Sequence, residues 1–239
     1  MPDSLPPYVR TPRSRVRRHP ERAHYDRDTV FAILDAALMC HIGYVIDGLP
    51  YVTPTLFWRE GERLYWHGSS GSRMLRTQAK GIPVCLTVSH VDGLILARCA
   101  FRHSLNYRAV MAFGTAAIVD DPAEKEAGFN AFIERVYPGR TGIMRPIAPQ
   151  ELKATSLIGM TIDEVSAKVR ADGPLDLEAD YAADCWAGTL PITQIIGTPI
   201  PDQRVPPHVA PEPEIGHLAE GARFDEALLA AAHRGKNYG

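Results

Sequence analysis

The chain has 239 residues, 45% of them hydrophobic, and a formal net charge of −2. This length and composition suffice for one buried core with extensions, and the charge is not that of a nucleic-acid-binding or membrane-surface protein. No apolar run approaches the ~20 residues that a membrane-spanning helix needs. The four cysteines lack the spacing of a zinc ribbon or a disulfide framework, so we expect a cytoplasmic protein. They are Cys40, Cys85, Cys99 and Cys185.

Residues 1–22 are predicted to form a basic N-terminal arm. Five arginines lie between Arg10 and Arg18, in the segment RTPRSRVRR. The arm could be solvated, or it could fold over an anionic ligand or a partner subunit. Spacing alone does not separate these interpretations.

The first regular elements follow the arm. Apolar residues between Val30 and Leu38 recur with helical spacing, and Asp26 or Asp28 is available as the N-cap. Three strands are predicted next, because Asp47-Gly48 and Arg59–Gly61 are hairpin signals within an alternating apolar pattern. A short helix from Ser72 to Lys80 follows them.

The second half of the domain is also predicted to contain both strands and helices. Asp92-Gly93 is predicted to turn the strand PVCLTVSHV into LILARCAF. Asp121 and Pro122 mark a helix start, and one strand is predicted over Ser156–Val165. This pattern predicts an α+β, mainly β protein on an antiparallel sheet or barrel, occupying residues 23–196.

Residues 197–239 are predicted to form a linker and a short C-terminal helix. Six prolines accumulate between Gly197 and Gly216, which is typical of an extended segment. A weakly amphipathic pattern predicts the helix near Phe224–His233.

The segment HGSSGSR, residues 67–73, is the most suggestive motif. A nucleophile elbow is disfavoured because the final glycine of G-x-S-x-G is missing and the strand belongs to an antiparallel run. A loop of small residues before a helix exposes backbone N–H groups to an anion, and Arg73 adds a bidentate cation. The alternative is that Ser70 or Ser72 merely caps the helix and Arg73 is solvated.

Residues 102–108 form a second polar cluster, RHSLNYR, between two apolar strands. Its donors and aromatic rings favour ligand binding, although an ordinary polar loop would have a similar composition. The histidines are far apart, without an i,i+4 helical pair or an HExxH motif, so no metal site is predicted.

The motifs in combination resemble one known family. Their order is similar to that of the pyridoxamine 5′-phosphate oxidase-like flavoproteins, in the branch of the nitroimidazole-resistance proteins. The resemblance covers roughly residues 13–196. It rests on the segments LYWHGSSGSRMLR, PVCLTVSHVDGLILA, HSLNYRAVMAFGTA, YPGR, ELKATSL, SAKVR and CWAGTLP.

The resemblance implies a fold, a cofactor and an activity. The fold would be an antiparallel, Greek-key-like split β-barrel with peripheral helices. It would form a homodimer with FMN at the subunit interface. The activity would be that of an oxidoreductase, passing a hydride or electrons through the flavin to a small-molecule substrate of nitro or quinone type.

The resemblance also implies which residues bind the flavin. The phosphate or ribityl chain would be held by His67, Ser69, Ser72 and Arg73. The isoalloxazine edge would follow Val52, Thr53, Pro54 and Thr55. The phosphate site would be completed by Asn106, Tyr107 and Arg108, and the flavin would lie near Lys168, Arg170 and Trp186 of one subunit or the other. Proton relay would fall to His67, His103 or Tyr107.

The chain lacks the arginine-containing C-terminal motif of true pyridoxamine phosphate oxidases, so oxidation of vitamin B6 is not expected.

Three alternatives to an FMN-dependent oxidoreductase stay open at this point. The same fold could serve a deazaflavin-dependent reductase, or a flavin-binding sensor or storage protein. It could also bind haem through an axial histidine, for which His41, His67 and His208 are the candidates.

Overall fold

The structure is a computed structural model that describes residues 5–234. The helices of this range are α1 (Arg27–Asp35), α2 (Arg73–Gln78), α3 (Pro122–Val136), α4 (Pro149–Ala154) and α5 (Phe224–Arg234). The strands are β1 (Ala23–His24), β2 (Met39–Ile46), β3 (Leu49–Glu60), β4 (Arg63–Ser69), β5 (Ile82–Leu96), β6 (Ser104–Ile118), β7 (Thr155–Thr161), β8 (Glu164–Arg170) and β9 (Gly188–Pro191).

Six of the strands close into an antiparallel barrel, which confirms the predicted fold. Their order is β6-β7-β4-β3-β2-β5, and β5 pairs back onto β6. The long strand β6 pairs with β8 over Tyr107–Phe113 and with β7 only at Ala117 and Ile118. The barrel therefore splits at β6, and β8 carries the short strand β1 at its outer edge.

The side chains of β3 and β4 alternate between two separate cores. Phe57, Leu64 and Trp66 are fully buried inside the barrel. Trp58 and Tyr65 point to the opposite face, where they pack with aromatic side chains of α3. Because neighbouring residues of a strand face opposite sides, one hairpin thus serves both the barrel core and a second, outer cluster.

Local turn and capping signals are confirmed where the chain makes tight connections. Asp26 caps α1 by accepting a hydrogen bond from the Thr29 amide at 2.8 Å. Asp121 caps α3 in the same way through the Glu124 amide at 2.7 Å. Asp47 and Gly48 have positive φ angles of 51° and 79°, which the type I′ turn of a two-residue hairpin requires.

The predicted turn at Asp92-Gly93 is wrong. β5 runs through both residues, and its pairing with β6 is irregular between Val91 and Gly93. A Cβ atom on Gly93 would lie 3.1 Å from the carbonyl oxygen of Leu190, so the glycine permits the close approach of β9. The Asp92 carboxylate accepts a hydrogen bond from Arg108 on β6.

The single strand predicted over Ser156–Val165 is also wrong, because the chain reverses at Ile162 and Asp163. β7 pairs with β4, and β8 pairs with β6. The connection contains neither glycine nor proline. It is held by tertiary hydrogen bonds, from the Ile162 amide to the Glu62 carbonyl at 3.0 Å and from the Asp163 amide to the Phe113 carbonyl at 3.0 Å.

Both extensions pack on the barrel domain. The arm is joined to it by a hydrogen bond from the Tyr8 amide to the Tyr25 carbonyl at 2.9 Å. Helix α5 buries Ala227, Leu228 and Ala231 and packs against α1 and α3. The domain boundaries at residues 22 and 196 stay predictions. Within residues 5–234, the helices are all too short or too polar to cross a membrane.

Candidate functional site

The serine-rich loop connects the end of β4 to the start of α2. Ser72 is the N-cap residue, but its hydroxyl makes no capping hydrogen bond to the helix. Ser69 Oγ accepts a hydrogen bond from the Gly71 amide at 3.2 Å. The helix is anchored to the strand by a buried hydrogen bond from Trp66 Nε1 to Gln78 Oε1 at 2.8 Å. The Ser72 hydroxyl is therefore available to a ligand, in a loop that is fixed on both sides.

Arg73 lies beside the predicted flavin strand. Its guanidinium is 4.7 Å from the centre of the Tyr51 ring, which stacks on Tyr44 at 5.7 Å. The Tyr44 hydroxyl is 3.1 Å from Thr53 Oγ1. The structure thus brings Arg73 and the start of the segment YVTPT together. Within residues 5–234, Arg73 forms no ion pair with a carboxylate.

The four predicted residues of β3 alternate between two faces of the strand. Val52 and Pro54 are exposed on the outward face, whereas Thr53 and Thr55 are half-buried on the other. Their side chains cannot all contact one ligand edge. The backbone of this segment can follow a single edge, and the flavin contact that the resemblance implies for it stays a prediction.

The predicted cluster on β6 and β8 is occupied by internal partners. Asn106 Nδ2 donates to the Asp172 carbonyl at 2.9 Å, and its Oδ1 accepts from the Asp172 amide at 3.2 Å. The buried guanidinium of Arg170 donates to the carbonyls of Leu105, at 3.0 Å, and Gly173, at 3.4 Å. Flavin binding by Asn106 and Arg170 stays a prediction, and it would have to coexist with these contacts.

Arg108 is held by two carboxylates. It donates to both oxygens of Asp92, at 2.9 and 2.7 Å, and to Asp225 of α5 at 3.0 Å. The hydrogen bonds to Asp92 are the main reason that its pKa is raised above the usual arginine value. In this arrangement Arg108 has no free charge to offer a phosphate.

The remaining predicted residues lie in separate surroundings. Lys168 Nζ donates to the Arg18 carbonyl at 3.1 Å. His103 is exposed, with Nδ1 3.2 Å from the Cys99 carbonyl oxygen, and Tyr107 is half-buried in β6. Trp186 is exposed just before β9. Their roles stay predictions.

His67 lies on the α3 side of β4 and faces away from the barrel interior. Its ring packs edge-on against Phe129 at 5.4 Å and beside Trp58 at 5.9 Å. Burial lowers the pKa of His67, which keeps the imidazole neutral at pH 7. Its Nδ1 atom and Nε1 of Trp58 are both buried without a hydrogen-bond partner in the described part of the chain.

A cavity of about 720 Å³ opens beside this imidazole. Its wall is mostly apolar, and its main charged feature is the ion pair between Arg145 and Glu151, with Nη1–Oε2 at 2.8 Å. The lining residues are His67, Glu126, Phe129, Asn130, Phe132, Ile133, Thr141, Met144, Arg145, Pro146, Ile147, Glu151 and Thr155.

The cavity was not predicted from the sequence. Phe129, Phe132 and Ile133 belong to the helix predicted after Asp121 and Pro122, where their helical spacing indicates a packing face, and they also line the cavity. Segment 141–147 carries no motif, so nothing in the sequence indicates that it forms a wall. The available signal was the aromatic pair of α3 together with a histidine on the outer face of a strand.

The cavity combines a mainly apolar wall with the imidazole of His67, a side chain that can ligate haem iron. Of the three histidines predicted as haem ligands, His67 lines it. His41 and His208 are exposed residues.

Two solved structures are similar to this chain over nearly their whole length. The flavocytochrome Anf3 from Azotobacter vinelandii is 42% identical, with a TM-score of 0.81 over 86% of this chain and 95% of that one. The FAD and haem binding protein from Mycobacterium smegmatis is 32% identical, with a TM-score of 0.80 over 84% of this chain and 99% of that one.

A more distant structure shares the fold alone. It is a protein named for 5-nitroimidazole antibiotic resistance from Bacteroides thetaiotaomicron, 21% identical, with a TM-score of 0.52 over 62% of this chain and 86% of that one. None of the curated proteins matches the chain. The family model described as pyridoxamine 5′-phosphate oxidase matches residues 26–169, which include the serine-rich loop and His67. Together with the two similar structures, this match shows that the chain belongs to the pyridoxamine 5′-phosphate oxidase-like family.

Proposed function

We propose that this protein is an electron-transfer oxidoreductase that would bind both a flavin and a haem, and that His67 would ligate the haem iron. The observation that carries the proposal is the half-buried, neutral imidazole of His67, whose Nδ1 is buried without a hydrogen-bond partner among residues 5–234, in the wall of a large, mainly apolar cavity. The likeness to a flavocytochrome and to an FAD and haem binding protein supports it.

The residues of the cavity fit a haem. Its volume of about 720 Å³ lies within the range of about 300–1,000 Å³ that is usual for cofactor pockets. Iron is ligated by the neutral form of imidazole, which burial enforces at His67. Phe129 and Phe132 would contact the porphyrin ring. Arg145 would release the carboxylate of Glu151 and bind a propionate of the haem in its place.

The residues around Arg73 fit a flavin phosphate. Arg73 has no carboxylate partner within residues 5–234, and the hydroxyl of Ser72 makes no capping bond. The backbone of residues 52–55 would follow the isoalloxazine edge. We expect FAD in place of the FMN that the sequence resemblance implies, because the relative whose name specifies its flavin binds FAD. Chromatography of the released flavin distinguishes the two.

The bound cofactors would supply two-electron chemistry at the flavin and one-electron chemistry at the haem iron. The chain itself would orient them and exclude water. Trp58 and Phe129 pack on the His67 ring and partly shield it from water, which favours the neutral, ligating form. The final acceptor would be a small molecule of quinone or nitro type.

We further propose that the protein is a cytoplasmic homodimer with the flavin at its interface. The outward face of the barrel exposes apolar side chains, with Met39 61%, Val52 68% and Met111 44% exposed. Exposed apolar patches of this kind mark protein interfaces. The four cysteines are free within residues 5–234, as in proteins of a reducing compartment. Light scattering should give twice the mass of 26.3 kDa, and a flavin-loaded monomer would contradict the dimer.

The haem assignment is tested with His67→Ala and a matched control, His41→Ala. Both variants and the parent protein are produced with added haem precursor and examined by visible absorption and by pyridine haemochrome assay. We expect a Soret band and a flavin in the parent and in His41→Ala. His67→Ala should lose the haem and keep the flavin.

Two results would contradict the assignment. Full haem content in His67→Ala would place the axial ligand elsewhere. Loss of flavin from His67→Ala, with haem retained, would return His67 to the flavin site that the sequence resemblance implies.

A further inference from the structure

The N-terminal arm forms a second pocket, which is lined by arginines, whereas the wall of the His67 cavity is mostly apolar. The second pocket has a volume of about 500 Å³. Three of the lining residues are arginines, and the remaining wall is made by the arm and by β1. The lining residues are Arg10, Arg15, Val16, Arg17, Pro20, Ala23 and Tyr25.

The arm is a fixed structure around this pocket. The hydroxyl of Tyr25 accepts a hydrogen bond from the Val16 amide at 3.0 Å and donates to the Ser14 carbonyl at 3.3 Å. The buried Ser14 exchanges hydrogen bonds with Thr11 at 3.0 and 3.1 Å. The segment that carries Arg15 and Arg17 is therefore held in place by its own backbone contacts.

Contacts to β8 anchor the arm from the other side. Arg13 and Thr11 both donate to the carboxylate of Glu164, and Lys168 Nζ donates to the Arg18 carbonyl at 3.1 Å. These contacts use Arg13 but none of the arginines that line the pocket. Arg13 and Arg22, which pairs with Asp172 at 3.1 Å, thus dock the arm and leave Arg10, Arg15 and Arg17 for a different purpose.

The three arginines of the pocket have no carboxylate partner among the described residues. Arg10 lies over the Tyr25 ring at 4.9 Å, a contact that leaves its charge uncompensated. Three like charges around one concave surface repel each other and focus a positive potential into it. A ligand with several negative charges would relieve this repulsion, and guanidinium groups bind phosphate oxygens in bidentate geometry.

We propose that this arginine pocket binds the diphosphate of a nucleotide, at a site separate from that of the flavin. A diphosphate supplies enough charge for three arginines, and the volume leaves room for the nucleoside. The pocket lies on β1 beside β8, whereas residues 52–55, Ser72 and Arg73, which are proposed to hold the flavin, lie on β3 and between β4 and the start of α2. In the sheet order β6 and β7 separate β1 and β8 from β3 and β4. The proposal does not depend on haem binding.

The experiment uses the full-length, flavin-loaded protein and isothermal titration calorimetry. The probes are inorganic pyrophosphate, ADP and adenosine at fixed ionic strength. The test variant is Arg15→Gln/Arg17→Gln, and the matched control is Arg18→Gln, which removes a neighbouring exposed arginine that does not line the pocket. Because all three side chains are exposed and unpaired among residues 5–234, thermal unfolding should be unchanged in both variants.

We expect one ADP per chain and weaker binding of pyrophosphate, with no binding of adenosine. The double variant should bind ADP about 100-fold more weakly or worse, since two charge-assisted contacts are lost. Arg18→Gln should change the affinity by less than about threefold, as a screened charge outside the site.

Several results would overturn the proposal. Absence of ADP and pyrophosphate binding at millimolar concentration would show that the pocket is not an anion site. An equal loss of ADP affinity in Arg18→Gln would show that the charge of the whole arm attracts ADP. Pyrophosphate binding as tightly as ADP would show that the nucleoside contributes nothing, so the ligand would not be a nucleotide. Loss of flavin from the double variant would assign the pocket to the flavin itself.

Discussion

Two groups of arginines in this protein lie in opposite surroundings. Under α1, the buried side chains of Arg59 and Arg135 converge on one buried carboxylate, that of Asp35. Arg135 lies 3.0 Å from it, and Arg59 makes a bidentate pair with it. In the arm, Arg15 and Arg17 line an open pocket and have no such partner among the described residues.

The difference separates arginines that hold the fold from arginines that are available to a ligand. A buried guanidinium must be paired, since an isolated charge away from water is very costly. An exposed guanidinium can stay unpaired at little cost, and it keeps its full capacity for an anion. By this criterion Arg73, which is exposed and unpaired among residues 5–234, belongs with the arm arginines. Arg108 is half-buried but paired with two carboxylates, so it belongs with the arginines that hold the fold.

The largest expected effect is on stability at the centre of the buried cluster. Asp35→Ala should lower the free energy of unfolding by about 3–5 kcal/mol, because it leaves Arg59 and Arg135 buried without their counter-charge. Urea denaturation measures the change. The control Asp28→Asn, at an exposed position of the same helix, should cost less than about 1 kcal/mol. An equal loss of unfolding free energy in Asp35→Ala and Asp28→Asn would show that the buried pairing of Asp35 does not hold the fold.

Arg73 should affect a ligand and leave stability unchanged. Arg73→Ala should weaken binding of FAD or FMN by about 1.5–3 kcal/mol, because a charge-assisted hydrogen bond to phosphate is lost. Riboflavin, which has no phosphate, should bind as before. Fluorescence titration of the apo-protein measures all three. The control is Arg76→Ala, one turn later on an exposed face of α2, which should leave the flavin affinity unchanged. If Arg73→Ala weakened riboflavin binding as much as FAD or FMN binding, Arg73 would not contact the phosphate.

Arg108 should show the reverse behaviour. Arg108→Gln should cost about 1–2 kcal/mol of stability, since it leaves the carboxylates of Asp92 and Asp225 without their shared partner. Hydrogen exchange should rise first in α5, which Asp225 connects to the barrel. Flavin affinity should be unchanged. A variant of normal stability that fails to bind flavin would restore Arg108 to the phosphate site that the sequence resemblance implies.

The smallest effect concerns the docking of the arm. Hydrogen bonds from Thr11 and Arg13 lower the pKa of Glu164 below its usual 4.5. This contact therefore contributes fully to the stability of the docked arm at pH values above 4.5. The contribution is lost as the pH falls through the lower pKa that Glu164 has in the folded state. Hydrogen exchange of the arm should be slower in the parent than in Glu164→Gln at pH 7, and the difference should vanish in acid. A difference that persists in acid would contradict a role for the Glu164 charge.

Local elements with strong signals could be predicted from residues that are close together in the sequence. Asp26 and Asp121 cap their helices, and Asp47-Gly48 makes the predicted hairpin, because each depends on residues a few positions apart. The motif combination was likewise sufficient to indicate the family and the split barrel.

Features that depend on residues far apart in the sequence could not be predicted in this way. Asp92-Gly93 is extended because β9 passes close to the glycine and Arg108 binds the aspartate, and no local pattern encodes either contact. The cavity at His67 exists because α3 and segment 141–147 close over one strand. An arginine has the same charge in any sequence, and whether it is free or paired depends on the carboxylates that folding brings to it.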